Sequence, residues 1–435
     1  MRIAVIGAGI SGLVAAHRLH AEHDITLFEA QDYLGGHTHT VPVALEDESH
    51  SIDTGFIVFN DWTYPHFLEL LRELDVASQP TTMSFSVRDE RTGLEYNGHS
   101  FNTLFAQRRN LWRPSFYRMV ADILRFNREA YRVVQDCRDD MTVGEFLRRH
   151  GYSPVFSRHY LLPMGSAIWS CPLGRFADFP IRFIVDFYHN HGLLSVTDRP
   201  TWRVVQGGSC KYVEAMTRRF QDRVRLRLGT PVRSVHRYGD HMVVQPRGGS
   251  NESFDHVIFA CHSDQALRIL GDSATATERE ILSAFPYEKN TAVLHTDTSL
   301  LPRARRAWAS WNYHLHEDEA RPASVTYNMN ILQSIRSRHT FCVTLNDIER
   351  IDASRILGRF EYSHPVFTTQ RAAAQARHAE LLSANRTSYC GAYWGNGFHE
   401  DGVVSALAVA NALHGDQHVP FPEPLGSIAS VGVHP

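Results

Sequence analysis

The sequence predicts an α/β protein whose parallel sheet is assembled from separate parts of the chain. An apolar strand, a glycine-rich turn and an apolar helix open the chain over residues 2–19. Strand-and-helix alternation returns over residues 206–260 and again over residues 388–413. Such alternation is typical of a parallel sheet covered by helices. The segments between these parts differ in character, which indicates an insertion.

The first strand–turn–helix unit carries a dinucleotide-binding pattern. The turn holds Gly7, Gly9 and Gly12, and Glu29 ends the second strand twenty residues after Gly9. In such a unit the first glycine permits the tight turn, the second lets the backbone approach a pyrophosphate, and the third lets the helix pack on the strand. The N–H groups at the helix N-terminus face the phosphates. Glu29 is placed to accept hydrogen bonds from an adenosine ribose.

Bulk composition narrows the class of protein. A chain of 435 residues with 43% hydrophobic and 11% aromatic residues is typical of a folded protein of two or three domains. The net charge of −3 gives no basic field for nucleic acid, so we expect no nucleic-acid partner. Six scattered cysteines without a C-x-x-C pair predict neither a metal site nor a disulfide framework.

The same features predict a location. We find no secretory leader pattern and no apolar run of about 20 residues. The cysteine usage fits a reducing compartment. We therefore expect a cytoplasmic protein, and peripheral contact with the inner face of the membrane stays open.

Changes in composition predict a split domain organisation. Three segments form a Rossmann-like nucleotide-binding domain, two segments form an inserted α+β substrate domain, and a proline-containing tail follows. The nucleotide-binding domain takes residues 1–60, 201–274 and 385–416. The substrate domain takes residues 61–200, which are helix-rich, and residues 275–384. The tail takes residues 417–435.

Three later motifs extend the nucleotide site. Gly35-Gly36-His37-Thr38 follows the ribose-binding acid, and a strand ends at Ala260 where the chain runs near the nucleotide. Cys390-Gly391 precedes a glycine-rich loop and a helix predicted to start at Gly402. The N-terminus of this second helix is placed to stabilise the negative charge of a reduced flavin.

Together these motifs resemble the flavin-dependent amine oxidase superfamily, which holds amine oxidases, phytoene desaturase-like enzymes and protoporphyrinogen oxidases. They occur in the family's order and cover nearly the whole chain. The resemblance implies FAD as cofactor, Asp53-Thr54-Gly55 beside the flavin, Gln206-Gly207-Gly208 ahead of the adenine side, and backbone contacts from Val232 to adenine. The residues that motif and resemblance assign to the cofactor are Gly7, Gly9, Ile10, Ser11, Gly12, Glu29, Ala30, Gly35, Gly36, His37, Thr38, Gly55, Phe56, Val232, Ala260, Gly391, Asp401, Gly402 and Val403.

Within the superfamily the chain is most similar to a bacterial branch of NAD/FAD-binding proteins associated with cyclopropane fatty-acid synthases. The segments that carry this similarity are residues 53–60, 162–169, 307–312 and 399–402. The association implies lipid chemistry.

Three departures from the family pattern disfavour amine oxidation. His37 stands where amine oxidases carry an arginine, which makes it a weaker and pH-dependent partner for a pyrophosphate. Phe398 stands where they place a tyrosine of the aromatic cage. The chain has only two lysines, Lys211 and Lys289, neither in the context of the lysine near flavin N5. Cys390 falls on a strand, which predicts non-covalent FAD.

Catalytic candidates lie beside the expected flavin. His399 and Phe398 precede the last helix, and Trp169 lies in the inserted domain. His399 would accept a proton or orient substrate, whereas Asp401 is interpreted as the helix N-cap. Trp169 either lines an apolar substrate tunnel or packs in the core. Cys261 and His262 point to opposite faces of a strand, so we expect no joint chemistry.

Residues 108–132 mix arginines and aromatics at helical spacing. One interpretation is a surface that docks on anionic lipid and admits an acyl chain. The simpler interpretation is a solvated basic face on a packed helix, and nucleic-acid binding is weaker because no recognition motif accompanies the charge.

Three hypotheses for function follow. The first is an FAD-dependent oxidoreductase that transfers hydride from a lipophilic substrate, such as a fatty acyl chain, to flavin N5 in a dehydrogenation or desaturation. The second is an amine oxidase acting on a small amine or polyamine. The third is a non-catalytic flavin-binding partner in a lipid-modifying complex.

Overall fold

The computed structural model describes residues 1–45, 48–138, 140–169, 173–195, 197–220, 222–317, 324–368 and 370–415. The strands are β1 (Arg2–Ile6), β2 (Asp24–Phe28), β3 (Thr40–Leu45), β4 (Glu48–Asp53), β5 (Phe59–Asn60), β6 (Ser78–Pro80), β7 (Phe85–Asp89), β8 (Leu94–Asn97), β9 (Trp202–Val205), β10 (Val224–Arg227), β11 (Val232–Arg237), β12 (Met242–Pro246), β13 (Glu252–Phe254), β14 (His256–Phe259), β15 (Tyr287–His295), β16 (Trp311–Leu315), β17 (Ser324–Asn328), β18 (Cys342–Leu345), β19 (Ile356–Pro365) and β20 (Thr387–Tyr389). The α-helices are α1 (Ile10–Leu19), α2 (Pro65–Glu73), α3 (Phe101–Leu104), α4 (Pro114–Gln135), α5 (Val143–Arg149), α6 (Pro154–Phe156), α7 (Leu162–Trp169), α8 (Leu173–Ala177), α9 (Ile181–Asn190), α10 (Cys210–Phe220), α11 (Ser263–Leu270), α12 (Ala276–Leu282), α13 (Met329–Leu332), α14 (Arg371–Gln375) and α15 (His399–His414).

A parallel sheet in the order β10-β2-β1-β14-β20 forms the centre of the nucleotide-binding part. Its strands come from the beginning, the middle and the end of the chain. Side chains of β1 alternate between two cores: Ile3 and Val5 face α1, α10 and α15, whereas Ala4 and Ile6 face β11–β13 and α11. This period of two, buried on both faces, is what a parallel strand under two layers requires. The predicted α/β fold class is confirmed.

A second sheet lies outside this core, in the order β19-β15-β18-β17-β16-β7-β8. Its strands pair antiparallel except β16 and β7, which run parallel. The hairpin of β7 and β8 comes from residues 61–200, the segment predicted to be helix-rich. In the same segment, α4 packs on α6 and α9. Strands of two distant segments therefore share one sheet.

Two predicted helices differ from the structure. The alanine-rich segment 370–382 is broken into α14 and a 3₁₀ turn at His378–Leu381, because the His378 ring stacks on Trp394 at 4.0 Å and its Nε2 lies 2.7 Å from the Tyr389 carbonyl. The last helix starts at His399, so the interpretation of Asp401 as N-cap is wrong. Asp401 lies in the first turn instead, and its Oδ2 accepts a hydrogen bond of 2.8 Å from the backbone N–H of Phe398.

Asp53 joins three parts of the fold at the end of β4. The fully buried carboxylate accepts hydrogen bonds from Thr40 Oγ1 at 2.5 Å, from the backbone N–H of Ser209 at 2.9 Å and from Ser209 Oγ at 2.8 Å. Gln333 Nε2 donates a fourth hydrogen bond of 3.2 Å. Asp53 thus ties β3, the start of α10 and the turn after α13 to one acceptor.

Two observations bear on the surroundings of the protein. Among the residues that the structure describes, no helix has the length and apolar character needed to cross a bilayer. Cys137, Cys210, Cys261, Cys342 and Cys390 carry free thiols.

Asp53→Asn tests this junction. In asparagine, an NH₂ group that donates hydrogen bonds replaces one of the two carboxylate oxygens that accept them. Hydrogen bonds at this position are then lost, so we expect the free energy of unfolding to fall by about 2 kcal/mol. Urea unfolding followed by circular dichroism measures the change. Asp240→Asn is the matched control, since the Asp240 side chain is 90% exposed. Equal unfolding midpoints for Asp53→Asn and the unaltered protein would contradict this role.

Candidate active site

Of the three glycines in the turn after β1, only Gly9 has room for a side-chain atom. A Cβ on Gly7, whose φ is +105°, would lie 2.8 Å from the Ala260 carbonyl oxygen, and a Cβ on Gly12 would lie 1.9 Å from the Gly7 carbonyl oxygen. A Cβ on Gly9 would meet no atom within 4 Å. The turn is therefore closed against the sheet and open beside the N-terminus of α1, as a bound pyrophosphate requires.

Glu29 lies against this turn from the end of β2. Its Oε2 accepts the backbone N–H of Ala8 at 2.7 Å, and its Oε1 accepts that of Gln31 at 2.9 Å. The backbone N–H of Thr230 donates to the Glu29 carbonyl at 2.7 Å, which brings the start of β11 at Val232 to the same end of the sheet. The predicted ribose and adenine residues are therefore neighbours, with the exposed Ala30 next in the chain.

The second glycine loop lies directly on the first. The backbone N–H of Gly35 donates to the Ala8 carbonyl at 2.8 Å, and a Cβ on Gly36 would lie 3.1 Å from the Gly9 Cα. The Gly55–Phe56 turn docks on this loop, because the Phe56 N–H donates to the His37 carbonyl at 2.7 Å. A Cβ on Gly55 would lie 2.1 Å from that carbonyl oxygen, so the approach requires glycine.

His37 is part of an aromatic and imidazole cluster. Its ring centroid lies 5.2 Å from that of Tyr362, 5.5 Å from that of His364 and 5.9 Å from that of His262. Burial lowers the pKa of His37, and it lowers the pKa of His262 and of His364 to about 3. The three imidazoles are therefore neutral in the protein alone.

The N-termini of α1 and α15 meet beside the open position. Ser11 Oγ donates a buried hydrogen bond of 2.9 Å to the Gly402 carbonyl, and a Cβ on Gly402 would lie 2.7 Å from Ile10 Cγ2. The N–H of Gly391 donates to Ser405 Oγ at 2.9 Å, and Val403 is buried in the shared core. Two positive helix ends thus point at one region, which suits a ligand with a diphosphate and an anionic ring.

The acids beside His399 have structural partners. Glu400 accepts the backbone N–H groups of His66 and Phe67, both at 2.9 Å, and so caps α2 from another element. Burial raises the pKa of Asp401 to about 6, and its carboxylate is bound to the Phe398 backbone. Neither carboxylate is left free for a substrate.

His399 is packed between aromatic rings and hydroxyls. Its ring stacks on Phe56 at 3.6 Å between centroids and meets the Phe67 ring edge-on at 5.4 Å. Its Nε2 lies 2.7 Å from Tyr212 Oη and 3.1 Å from Thr38 Oγ1, and these two hydroxyls also contact each other closely. Burial lowers the pKa of His399 well below its usual value, so the ring is neutral. Sequence reasoning missed Tyr212, which lies 187 residues from His399 in the chain.

An aromatic wall adjoins the start of α15 where the nucleotide-binding core meets the helical core. We define the aromatic wall as Trp169, Phe183, Phe187, Phe367 and Phe398. Neighbouring rings lie 4.8 Å apart for Trp169 and Phe187, 5.1 Å for Phe187 and Phe398, and 4.9 Å for Phe183 and Phe367. Trp169 Nε1 has no hydrogen-bond partner among the described residues. The structure therefore brings two catalytic candidates, Phe398 and Trp169, into one packed apolar cluster of the helical core, in which Trp169 is buried and Phe398 is partly exposed.

Arg371 is a second residue that sequence reasoning missed. Its guanidinium carbon lies 3.8 Å from the Phe367 ring centroid, and its Nη2 donates to the carbonyls of Tyr393 at 3.1 Å and Gly395 at 2.7 Å. Burial lowers its pKa to about 10, so it stays cationic at neutral pH. Arg371 holds the loop before α15, and no local motif marks an arginine whose carbonyl acceptors lie more than twenty residues away.

The two lysines of the chain lie away from this region. Lys211 is exposed and pairs with Glu214 at 3.0 Å, and Lys289 is exposed on β15. The buried neighbour of Lys289 is Asn290, whose Nδ2 lies 2.8 Å from His364 Nδ1. Neither lysine is placed to act through a water beside a flavin.

Comparison with known proteins agrees with this geometry. The flavin containing amine oxidoreductase family matches residues 10–296. Amine oxidase [flavin-containing] A of Canis lupus familiaris is 25% identical over 271 residues, which cover 60% of this chain and 48% of that protein, so the chain spans about half the length of this relative.

Two solved structures share the fold over nearly the whole chain. A protein from Exiguobacterium sp. 255-15 that bears the name protoporphyrinogen oxidase superposes with a TM-score of 0.67 at 18% identity, covering 95% of this chain and 98% of that one. The CLA-producing fatty acid isomerase from P. acnes superposes with a TM-score of 0.65 at 14% identity, covering 95% and 98%. The family match, the shared fold and the paired helix N-termini lead to one conclusion: the chain belongs to the flavin-containing amine oxidoreductase family, whose members are FAD-dependent oxidoreductases.

Proposed function

We propose that this protein oxidises a lipophilic substrate of the fatty acyl class by dehydrogenation or desaturation. The observation that carries the proposal is the aromatic wall, because it groups five aromatic side chains and includes Phe398, which precedes the first residue of α15. When bound, FAD supplies the chemistry by accepting a hydride from a substrate carbon at its N5. The wall excludes water and orients the chain.

The residues of the site suit FAD as the resident cofactor. The N-terminus of α1 beside Gly9 would hold the diphosphate, Glu29 the adenosine ribose, and the backbone of Val232 the adenine. The N-terminus of α15 at Gly402 would stabilise negative charge at the other end of the cofactor. The open position at Gly9 and the tight contact at Gly402 are the observations that support this fit.

His399 would act as a positioning residue in this scheme. Its Nε2 faces two buried hydroxyls, of Tyr212 and Thr38, and its ring is stacked on Phe56. These contacts clamp the second glycine loop and the Gly55–Phe56 turn to α15. A neutral ring in such packing holds the cofactor loops in place and transfers no proton to solvent.

Three further observations support a lipid over an amine. The exposed positions of Lys211 and Lys289 leave the site without the lysine of typical amine oxidases. The fatty acid isomerase from P. acnes shows that this fold accommodates a fatty acyl substrate in one relative of similar shape. The similarity to the branch associated with cyclopropane fatty-acid synthases points the same way.

Anaerobic reduction of the flavin tests the proposal. Mixing the FAD-loaded protein with a monounsaturated or cyclopropane phospholipid should bleach the flavin absorbance, and the released lipid should lose two hydrogens by mass spectrometry. Phe187→Ala removes the ring that joins Trp169 to Phe398, so we expect bleaching to slow by about tenfold or more. Stopped-flow absorbance measures the rate.

Phe116→Ala is the control for lost stability, since Phe116 is a buried ring in a different core. It should leave the bleaching rate close to that of the unaltered protein. Bleaching by simple amines but by none of the lipids would overturn the proposed substrate class.

A small amine or polyamine is the second candidate substrate. The observation in its favour is Asp186, a half-buried carboxyl on α9 next to Phe187 in the chain. Burial raises its pKa to about 6, with Arg182 opposing the shift. The carboxylate could pair with a cationic substrate beside the wall, as the match to amine oxidase A would suggest.

Asp186→Asn separates the two candidates. For an amine substrate the lost charge should raise KM by about tenfold with little change in kcat, because one ion pair in the bound state disappears. For a fatty acyl substrate the variant should leave KM and kcat within about twofold. Steady-state oxygen uptake with each substrate class measures both constants, and a large KM effect on lipid oxidation would contradict the apolar role of α9.

The imidazole cluster predicts how FAD affinity depends on pH. Burial holds the pKa of His37 below its ordinary value, and a bound diphosphate would raise it again. FAD binding then takes up a proton, so the Kd should fall by about threefold to tenfold as pH falls from about 8 to about 5. Fluorescence titration of the apoprotein with FAD measures the Kd.

Two variants at this position sharpen the test. His37→Gln should bind FAD with a weaker pH dependence, and His37→Arg should bind tightly at every pH because a guanidinium keeps its charge. An unchanged pH profile in both variants would exclude His37 as the coupled group.

A further inference from the structure

The start of α4 and the two turns before it form an exposed apolar surface. Trp112 is 87% exposed, Phe101 is 76% exposed, and Tyr117 is 49% exposed. The buried Phe105 ring joins two of them, since it lies 4.9 Å from the ring of Phe101 and 6.1 Å from that of Tyr117. Tyr117 Oη also donates to the carbonyl of Leu111, which precedes Trp112. Scattered exposed aromatics are ordinary, but a contiguous group marks an interaction surface.

Arginines that have no acidic partner among the described residues surround these aromatics. Arg108 donates to Asn102 Oδ1 at 2.6 Å and to the Phe105 carbonyl at 3.0 Å, and Arg109 donates to the Gly93 carbonyl. Arg113 donates to the Thr92 carbonyl at 3.4 Å. These acceptors are neutral, so none of these hydrogen bonds pairs an arginine with a carboxylate. We call the group formed by Phe101, Arg108, Arg109, Leu111, Trp112, Arg113 and Tyr117 the arginine–aromatic patch.

The positive charge is concentrated at the patch. Residues 98–121 contain four arginines and no aspartate or glutamate. Farther along α4, three arginines have carboxylate partners: Arg118 lies 3.3 Å from Asp122, and Arg125 and Arg128 lie 3.4 Å and 2.7 Å from Glu129. On the other side, the exposed turn at Arg305–Ala307 packs against α3 and adds Arg305 and Arg306 to the rim.

We propose that the arginine–aromatic patch docks this protein on a bilayer that contains anionic phospholipids. Tryptophan and tyrosine, with an apolar body and a polar tip, favour the depth of the lipid headgroups. Arginines at the same level pair with phosphates through their planar donors. The patch thus combines both contributions that hold a peripheral protein at an interface.

A second copy of this chain fits the patch less well. A two-fold dimer through this surface would set Arg108, Arg109 and Arg113 against the same residues of the partner. Like charges facing each other across an interface oppose association. A planar surface of negative phosphates meets no such repulsion. The docking proposal goes beyond the proposed function, because it holds for any substrate of the site.

Vesicle co-sedimentation of the FAD-loaded full chain tests the proposal. The protein should sediment with phosphatidylglycerol-containing vesicles, bind pure phosphatidylcholine vesicles more weakly, and dissociate at high salt. Phe101→Ser/Trp112→Ser should abolish binding. Arg108→Gln/Arg109→Gln/Arg113→Gln should lower the partition constant by about fivefold per arginine on anionic vesicles.

Matched controls use exposed residues away from the patch. Tyr238 is 55% exposed at the end of a hairpin in the nucleotide-binding part, and Arg233 is exposed on β11. Tyr238→Ser and Arg233→Gln should bind vesicles as the unaltered protein does. The flavin absorbance spectrum of every variant reports whether the fold and the cofactor are retained.

Three outcomes would overturn docking through the patch. The first is no sedimentation with anionic vesicles, and the second is binding that the patch variants leave unchanged. The third is a dimer in analytical ultracentrifugation that Phe101→Ser/Trp112→Ser converts to monomer while vesicle binding is absent. The flavin bleaching experiment with detergent-dispersed lipid is independent of all three, so failure of docking and failure of the proposed substrate are distinguishable.

Discussion

The contact between the N-termini of α1 and α15 is the constraint on which the rest of the site depends. Ser11 and Gly402 lie 391 residues apart in the chain, yet they share a buried hydrogen bond of 2.9 Å. A Cβ at Gly402 would lie 2.7 Å from Ile10 Cγ2, so the two helices approach this closely only because the side chain is missing. Two helix dipoles that would repel each other at their positive ends are thereby held side by side. An anionic ligand between them relieves that repulsion, which is why a diphosphate cofactor suits this fold.

The acids nearest to this contact keep the positive ends available. Glu400 and Asp401 lie in the first turn of α15, where carboxylates usually neutralise a helix end. Glu400 is turned toward the start of α2, and Asp401 is bound to the backbone of Phe398. The first turn of α1 contains no acidic residue. Hydrogen bonds to these backbone N–H groups thus hold both carboxylates away from the meeting point of the two helices. The electrostatic potential at that point stays positive.

Local patterns predicted the parts of the fold whose contacts are local. The strand, turn, helix and strand of residues 2–29 follow the glycine pattern, and the α/β class, the family and the FAD cofactor are confirmed. The assembly of the parallel sheet from three distant segments was also predicted and is confirmed, but distant contacts that no motif marks were not predicted. Tyr212 and Arg371 carry no motif, and the hairpin of β7 and β8 joins a sheet whose other strands lie some two hundred residues later. The broken helix at 370–382 has the same cause, since the contact of His378 with Trp394 outweighs the helix propensity of its alanines.

In the two proposals, the helices of the segment 61–200 separate attachment to a bilayer from contact with a substrate chain. The arginine–aromatic patch lies on α3, on the 3₁₀ turn Arg108–Trp112 and on the first turn of α4, whereas the aromatic wall takes Phe183 and Phe187 from α9. The two are connected because α4 packs on α9, and α4 alone extends over about 33 Å. Residues that would meet a bilayer therefore differ from residues that would meet a substrate chain. A change at Trp112 can alter attachment without altering the wall, and a change at Phe187 can alter the substrate without altering attachment. That separation lets either property be lost or gained independently while the helix contact at Ser11 and Gly402 keeps the cofactor site unchanged.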